Sequence, residues 1–240
     1  MISPIFHSDE LVGWAQSQAH LVDVGGMAAG GFAPDAYDCF SEAVRIPPGV
    51  KIYEQGRPVE AVRRMLLNNV RIPALLWNDI RSLVASNNTG IRRLVETIDE
   101  IGTEDFRRYT RAGFELADKV VRERIATIAD GVYTADEWVE HNGHVTGLHR
   151  LHLTMTVEGD RITFDFAGTD PQTDGYINNS MGSTIGMVAS AVVPILAYDV
   201  PFNEGVMTSC TVLAERGSLV NPIRRRRAAT GTSSPGCGSA

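Results

Sequence analysis

The chain has 240 residues, 43% of them hydrophobic and 21% charged, which is the composition of an ordinary globular protein with one or two domains. Its formal net charge of -7 leaves no broad basic surface for a phosphate backbone, which argues against nucleic acid as a partner. No apolar run is long enough to cross a bilayer and no secretory leader is recognisable, so the sequence predicts a soluble protein without a membrane partner.

The cysteines indicate a reducing compartment. Cys39, Cys210 and Cys237 follow neither the spacing of a zinc motif nor that of a disulfide framework. Reduced thiols are the simpler interpretation. Together with the missing leader, they predict a cytoplasmic location.

The first 60 residues predict a β-hairpin followed by irregular chain. Two short apolar runs, residues 4–6 and 11–14, flank the polar tripeptide HSD, which is typical of two strands joined by a turn. His20 then lies just beyond the second strand, ahead of a Gly-rich segment at 25–31. A Pro-Pro pair further along excludes a continuous helix through this region.

The middle of the chain predicts two long helices that form an antiparallel helical hairpin. Apolar positions recur every three or four residues across 80–101 and keep one phase through NNTG, so one long helix explains them better than two short ones. Gly102 suits the C-terminal cap of this helix, and Thr103, followed by two acids, suits the N-cap of the next. The apolar face of the second helix is predicted at Phe106, Tyr109, Gly113, Leu116, Val120 and Ile125.

Beyond Gly131 the periodicity changes to two. Residues 151–157 and 162–166 alternate apolar and polar side chains on either side of EGD, which predicts a β-hairpin with one buried face. The small and apolar residues of 180–198 predict a helix buried on most sides, and residues 207–213 a returning strand.

These elements predict an α+β fold with two lobes joined near residue 130. The first lobe, residues 1–130, holds the hairpin, the Gly-rich segment and the helical hairpin. The second, residues 131–223, is β-rich with one buried helix. Residues 224–240, which are four arginines followed by Ala, Thr, Gly, Ser, Pro and Cys without a period, predict a disordered tail.

Seven stretches, taken together and in order, resemble the hydantoinase B/oxoprolinase family. They cover nearly everything from residue 3 to residue 222: SPIFHSDELVGW, AHLVDVGG, SEAVRIPPG, NNVRIP, GIRRLVETIDEIG, ITFDFAGTDPQTDGYINN, and VPFNEG followed by GSLVNP. The family comprises the B-type subunits of ATP-dependent N-methylhydantoinases, 5-oxoprolinases and the related acetone and acetophenone carboxylases. The resemblance is to the whole set, because no single stretch is diagnostic.

The resemblance implies a subunit of an ATP-dependent hydrolase that acts on a small cyclic amide. No phosphate-binding glycine motif is present, and the resemblance assigns ATP to a partner, the hydantoinase A-type subunit. The B-type subunit is then expected to supply the chamber in which the activated amide reacts. Two alternatives remain: a subunit of a ketone carboxylase of the acetone or acetophenone type, and an inactive fragment that keeps only an interface.

Two departures from the family pattern motivate the fragment interpretation. Members of the family are longer and carry a glycine-rich region with a His-Leu-Pro-Asp type motif ahead of the first strand, which this sequence lacks. At the other end, RRRRAATGTSSPGCGSA replaces further folded chain, as a frameshift in a GC-rich gene would produce. The 240-residue chain alone is therefore expected to be inactive.

The stretch AHLVDVGG contains the candidate metal ligands. The resemblance implies a divalent metal, zinc or manganese, held by residues of the missing region and by one histidine of this motif, which by position is His20. Asp23 is then a further ligand, or it orients His20 through the second ring nitrogen. The alternative is that both side chains satisfy backbone groups at the end of a strand.

A second candidate is Glu42, which stands close to the rigid Pro-Pro turn. A carboxylate there could act as a general base or hold a nearby cation. The alternative is an ordinary surface residue of a helix. Four further histidines are close in sequence, but strand alternation separates them, so we do not expect them to form a metal site: His141, His144, His149 and His152.

Overall fold

A computed structural model describes residues 1–223, and the predicted disordered tail lies outside the described residues. The chain begins with the predicted hairpin, in which β1 (Ile2–His7) pairs antiparallel with β2 (Glu10–Gln16). The turn between them places Ser8 and Asp9 at positive φ. A Ser-Asp pair fits this turn because short polar side chains tolerate the left-handed region better than bulky ones.

Short elements follow the hairpin and lead into the predicted long helix. They are α1 (Cys39–Glu42), β3 (Tyr53–Glu54), β4 (Arg57–Pro58) and α2 (Glu60–Asn68). The long helix, α3 (Pro73–Ile101), is continuous through NNTG, as its single apolar phase predicts. It begins seven residues earlier than the first predicted residue, with proline in its first turn, where the missing N–H costs nothing.

The hairpin lies along α3, and a buried polar residue joins them. Asn87, within the otherwise apolar stripe of α3, donates to the hydroxyl of Ser3 at 3.0 Å and to the carbonyl of Ala15 at 3.3 Å. At the far end of the hairpin, His7 Nε2 lies 2.9 Å from Asp99 Oδ1. Burial of an amide without partners is unfavourable, so these bonds explain why a polar side chain interrupts the stripe.

A single residue, Gly102, separates α3 from α4 (Thr103–Ile125). The predicted N-cap at Thr103 is wrong, because Thr103 is already helical and Gly102, at φ 84°, caps both helices. The predicted apolar face of α4 is also wrong in part. Tyr109 and Leu116 are 57% and 55% exposed. The buried stripe is Ala117, Val121 and Ile125, which is the i, i+4 row that faces the second lobe.

The second lobe is a four-stranded sheet with helices against one face. Its strands are β5 (Gly131–His141), β6 (Thr146–Glu158), β7 (Arg161–Asp165) and β8 (Cys210–Leu213), in that spatial order. The first three pair antiparallel, and β7 and β8 pair parallel. The predicted β6–β7 hairpin and the returning strand are confirmed. Strand β5 was not predicted, since nearly all its residues are exposed and it has no apolar alternation.

Helix α5 (Met181–Leu196) is buried on one stripe only. Val188, Val192 and Leu196 are buried against α4 and the sheet, and Thr184, also buried, donates to the Val220 carbonyl at 2.7 Å. Met187 and Ile195 are 66% and 69% exposed, so the prediction of a helix buried on most sides is wrong. The apolar composition of α5 predicts that part of its surface is buried. Which face that is depends on the elements that pack against the helix.

Within residues 1–223, two hydrophobic cores stabilise the fold. One lies between α4, α5 and the sheet of the second lobe, and the other joins Leu66 of α2 to Leu76 and Ile80 of α3. The α+β class is confirmed, and the boundary near residue 130 stays a prediction. Among the described helices, none combines the length and the apolar character needed to span a membrane.

Candidate functional site

A cleft of about 680 Å³ lies between the two predicted lobes. One wall is formed by residues within 37–45 and the other by residues within 172–180, with Pro222 and Ile223 at its edge. Glu42, one of the candidate residues of the sequence, is part of the first wall. The volume falls in the range of small-molecule sites, so this cleft is the candidate ligand site of the described chain.

Helix α1 fixes the position of Glu42. The carboxylate of Asp38 accepts hydrogen bonds from the backbone N–H groups of Phe40 at 3.0 Å and Ser41 at 3.2 Å, which makes Asp38 the N-cap of the helix. Glu42 is the last residue of this single turn. Aspartate is a favoured N-cap residue, and this is the local signal that could have predicted the cap.

The glycine turn of AHLVDVGG packs directly behind Glu42. Gly26 has φ 85°, and a Cβ there would lie 2.3 Å from the carbonyl oxygen of Glu42, closer than real Cβ atoms approach. Two backbone bonds hold the segments together: Met27 N–H donates to the Ser41 carbonyl at 2.8 Å and Val44 N–H to the Val24 carbonyl at 2.9 Å. Glycine is needed here both for its conformation and for the space it leaves.

Asp23 stabilises this turn. Its side chain is fully buried, and its oxygens accept from the N–H of Gly25 at 3.1 Å and from the N–H and guanidinium of Arg71. The backbone N–H of Arg71 contributes most to holding the pKa of the Asp23 carboxyl below its usual value; the Gly25 N–H and the Arg71 charge also lower it. These contacts stabilise the turn, and none of the hydrogen bonds found within 1–223 joins Asp23 to His20; a metal role for Asp23 stays a prediction.

His20 lies on the surface beyond β2, as the sequence predicts. Across residues 1–223, no three histidine, cysteine, aspartate or glutamate side chains converge as a metal site requires. The described residues therefore do not form a complete site for zinc or manganese. The role of His20 as one ligand stays a prediction.

Two glycines allow close backbone contacts beside the cleft, one between the two predicted lobes and one within the second. At Gly143 a Cβ would lie 2.1 Å from the carbonyl oxygen of Pro34, and at Gly175 it would lie 2.0 Å from that of Asn142. Both glycines have positive φ, 104° and 106°. Any other residue would push apart the loops that enclose the cleft.

Aromatic contacts also join the first predicted lobe to the second beside the cleft. The rings of Tyr37 and His144 stack with centroids 3.7 Å apart, and His144 Nε2 donates to the Ala36 carbonyl at 3.3 Å. The ring of Phe32 meets that of Tyr176 edge-on at 5.3 Å. Tyr37 and Tyr176 both line the cleft and were not identified from the sequence, because each depends on a contact far along the chain.

Two of the other candidate histidines, His141 and His152, have local partners. His152 Nδ1 donates to Asp136 Oδ1 at 2.7 Å across strands β5 and β6, and His141 Nδ1 accepts from the N–H of Gly143 at 2.8 Å. With His144 stacked on Tyr37, these side chains point to different surroundings. His144 lies in the turn between β5 and β6, so strand alternation does not describe the whole group, and the expectation that these histidines form no metal site stays a prediction.

Glu42 has a perturbed carboxyl group. Partial burial, together with the nearby charge of Asp38, raises the pKa of Glu42 above its ordinary value. A carboxylate with a raised pKa in a cleft is a stronger base than one in water, which suits it to accept a proton from a reacting group.

Comparison with known proteins identifies the family of the chain. A family model described as hydantoinase B/oxoprolinase matches residues 1–236. The chain belongs to the hydantoinase B/oxoprolinase family. It is 33% identical over 224 residues to the beta subunit of the caprolactamase of Pseudomonas jessenii, with 92% of this chain and 38% of that relative covered. It is 28% identical over 232 residues to the B subunit of a putative D-/L-hydantoinase of a Pseudomonas species, with 92% and 39% covered.

The fold of this hydantoinase B/oxoprolinase member also matches a solved structure. The crystal structure of the ATP-dependent caprolactamase from Pseudomonas jessenii superposes with a TM-score of 0.86 at 28% identity, covering 94% of this chain and 39% of that one. The family and fold predictions are thereby confirmed. The chain spans about two fifths of the length of the relatives that it matches.

Proposed function

We propose that this chain is part of the B-type subunit of an ATP-dependent hydrolase that opens small cyclic amides. The proposal is supported by the family match over residues 1–236 and by the superposition on an ATP-dependent caprolactamase. In this proposal ATP binds to a partner, the hydantoinase A-type subunit, as the resemblance to the family implies. The two subunits form a hetero-oligomer.

In this proposal the cleft receives the ring amide and Glu42 acts as a general base. An unstrained ring amide resists hydrolysis, and ATP-dependent phosphorylation of its oxygen makes the amide carbon more electrophilic. Water adds to this carbon while Glu42 accepts its proton. The ring C–N bond then breaks as its nitrogen takes up a proton, and a second water hydrolyses the resulting acyl phosphate to carboxylate and phosphate. The raised pKa of Glu42 favours its role as the base, because a base is most effective when its pKa approaches the working pH.

Reconstitution tests the function. The full-length gene would be co-expressed with a neighbouring A-type gene, and ATP hydrolysis measured with hydantoin, N-methylhydantoin, 5-oxoproline and caprolactam. At least one amide should stimulate ATP hydrolysis and appear as its ring-opened product. ATP hydrolysis that responds to none of them contradicts the proposal, and ATP hydrolysis that requires bicarbonate and a ketone identifies a carboxylase instead.

His20 is proposed as one ligand of a divalent metal, zinc or manganese, in the assembled enzyme. Its exposed ring makes no hydrogen bond among residues 1–223, so it can turn toward an ion supplied with other ligands. Metal analysis of the purified complex should show that His20→Ala loses most of the bound metal while His149→Ala keeps it. Equal metal content in wild type and His20→Ala removes His20 from the site.

A further inference from the structure

A hydroxyl, a histidine and a carboxylate are joined in a row on the sheet of the second lobe, outside the cleft lining. Thr154 and His152 are two residues apart on β6, so their side chains project from the same face. Thr154 Oγ1 lies 3.3 Å from His152 Nε2, and Asp136 Oδ1 lies 2.7 Å from His152 Nδ1. The strand register places Asp136 of β5 directly opposite His152. A hydroxyl on one ring nitrogen and a carboxylate on the other is the arrangement that activates a hydroxyl nucleophile.

The face that carries these side chains is not the one that packs against the helices. Leu153 and Met155 alternate with them along β6 and pack against the core of the second lobe. The side chains of His152 and Asp136 keep 18% and 42% of their surface exposed, and Thr154 is half-buried. Small molecules in solution therefore reach this face.

Backbone contacts hold His152 in place. Its N–H donates to the hydroxyl of Thr169 at 3.0 Å, and this hydroxyl donates back to the His152 carbonyl at 3.1 Å. Thr169 is itself buried. A base that is fixed before the substrate arrives loses little conformational freedom during the reaction.

The contacts of the ring favour the tautomer that a base requires. Hydrogen bonds from Arg150 and then from His152 lower the pKa of Asp136 to about 2, so its carboxylate is ionised at neutral pH. Nδ1 lies 2.7 Å from this carboxylate and 3.0 Å from Arg150 Nη2, and the shorter contact is with the charged acceptor. Nδ1 therefore carries the proton, and Nε2 accepts the hydrogen bond of the Thr154 hydroxyl.

A backbone donor stands beside the same ring. A Cβ at Gly168 would lie 3.3 Å from His152 Cδ2, the ring carbon bonded to Nε2, so Gly168 is on the side of the ring where the Thr154 hydroxyl lies. None of the hydrogen bonds found within residues 1–223 uses the N–H of Gly168, and this residue is exposed. An N–H so placed can donate to an oxygen that becomes negative when a hydroxyl attacks a carbonyl.

We propose that Thr154 is a nucleophile that accepts acyl groups from small activated esters, with His152 as its general base and Asp136 as the acid that orients the base. The Thr154 oxygen bonds to the ester carbonyl carbon while its proton passes to His152 Nε2. The bond to the leaving aryloxide then breaks, and the aryloxide departs with the electron pair of that bond. Water, which gives a proton to His152, finally hydrolyses the acyl ester of Thr154 to the free acid. This site does not depend on the function proposed for the cleft.

The probe for this reaction is p-nitrophenyl acetate, added to the 240-residue chain. Release of p-nitrophenolate is followed by its absorbance, and the reaction is quenched with acid so that mass spectrometry locates the acetyl group. Tryptic cleavage after Arg150 and Arg161 gives a peptide, residues 151–161, that contains no lysine. We expect an initial burst of p-nitrophenolate and an acetyl group on Thr154.

Four variants test the three roles and provide a matched control. Thr154→Val removes the hydroxyl and should abolish the burst, whereas Thr154→Ser should keep it. His152→Gln should slow acylation by about a hundredfold and Asp136→Asn by about tenfold or more. The control is Thr156→Val, which changes a hydroxyl on the same face of β6 whose register partners, Val132 and Thr163, are not bases. It should react like wild type.

The position of the acetyl group and the rates decide the proposal. Acetyl transfer to Thr154 that His152→Gln slows supports it. A burst that Thr154→Val retains overturns it, and so does acylation of equal rate in wild type and His152→Gln. If Thr154→Val does not fold, an acetyl group on residue 154 of both wild type and Thr154→Ser supports the proposal, and its absence from residue 154 in both, without a burst, overturns it.

Discussion

Gly26 shows how one residue positions the candidate base. Its backbone lies against the carbonyl of Glu42 at a distance that no side chain permits. Asp23 fixes the preceding turn through Gly25 and Arg71. Within the described chain, the motif AHLVDVGG therefore packs against α1 and fixes the backbone position of Glu42. The metal role of His20 is a separate proposal.

Substitution of Gly26 should distinguish the cost of a positive φ from the cost of a steric clash behind Glu42. Gly26→Ala and Gly30→Ala both place alanine at a φ near 85°, but a Cβ at Gly30 meets nothing within 4 Å. We expect Gly30→Ala to lower the free energy of unfolding by about 1 kcal/mol and Gly26→Ala by about 3 kcal/mol. Urea denaturation of the two variants gives both values, and equal losses would show that the contact behind Glu42 is absent.

The carboxylate of Asp136, on the edge strand β5, makes the free energy of unfolding depend on pH. The side-chain bond from Arg150, followed by that from His152, lowers the pKa of Asp136 to about 2 from an ordinary 3.8. Its contribution is complete above pH 3.8 and is lost as the pH falls toward 2. The stability difference between wild type and Asp136→Asn should therefore narrow over this interval. A constant difference in urea midpoints between about pH 5 and about pH 2.5 would contradict it.

At the scale of the elements, α5 offers neighbouring residues with opposite environments. Leu196 is 7% exposed and packs in the second-lobe core, whereas Ile195 is 69% exposed. Leu196→Ala should cost about 2–5 kcal/mol of unfolding free energy and Ile195→Ala less than about 0.5 kcal/mol. Equal costs in urea denaturation would mean that both faces of the helix are buried.

Elements with a strong local period could be predicted, and those defined by distant contacts could not. The apolar phase of α3 and the alternation of β6 and β7 are properties of neighbouring residues, so the sequence identifies them. Strand β5 is exposed and owes its existence to pairing with β6. The stripe of α4 was misplaced because its partner, the second lobe, is formed by later parts of the chain.

The candidate site follows the same division. Glu42 was identifiable as an acid beside a rigid turn, and Asp23 as part of a turn motif. The cleft itself depends on contacts such as that of His144 with Ala36, which are 108 residues apart. Tyr37, Asp38 and Tyr176 belong to it only through such contacts, and no local pattern marks them as neighbours.

At the scale of the whole molecule, two predicted lobes meet at a cleft whose described lining contains one candidate base, Glu42. The chain belongs to the hydantoinase B/oxoprolinase family and its fold matches that of an ATP-dependent caprolactamase, which supports the proposed chemistry on amides. The chain spans about two fifths of those relatives, so we assign the proposed activity to the full-length subunit with its partner.

The most direct test of this account is the turnover number of Glu42→Gln in the complex of the full-length subunit and its A-type partner. With a saturating amide that the wild-type complex hydrolyses, kcat for ring opening should fall by about a hundredfold or more, as loss of a general base requires. The control is Glu100→Gln, which changes an exposed carboxylate of α3 outside the cleft lining and should retain wild-type kcat. A Glu42→Gln complex with kcat within about threefold of wild type would contradict the assignment of the cleft as the reaction site.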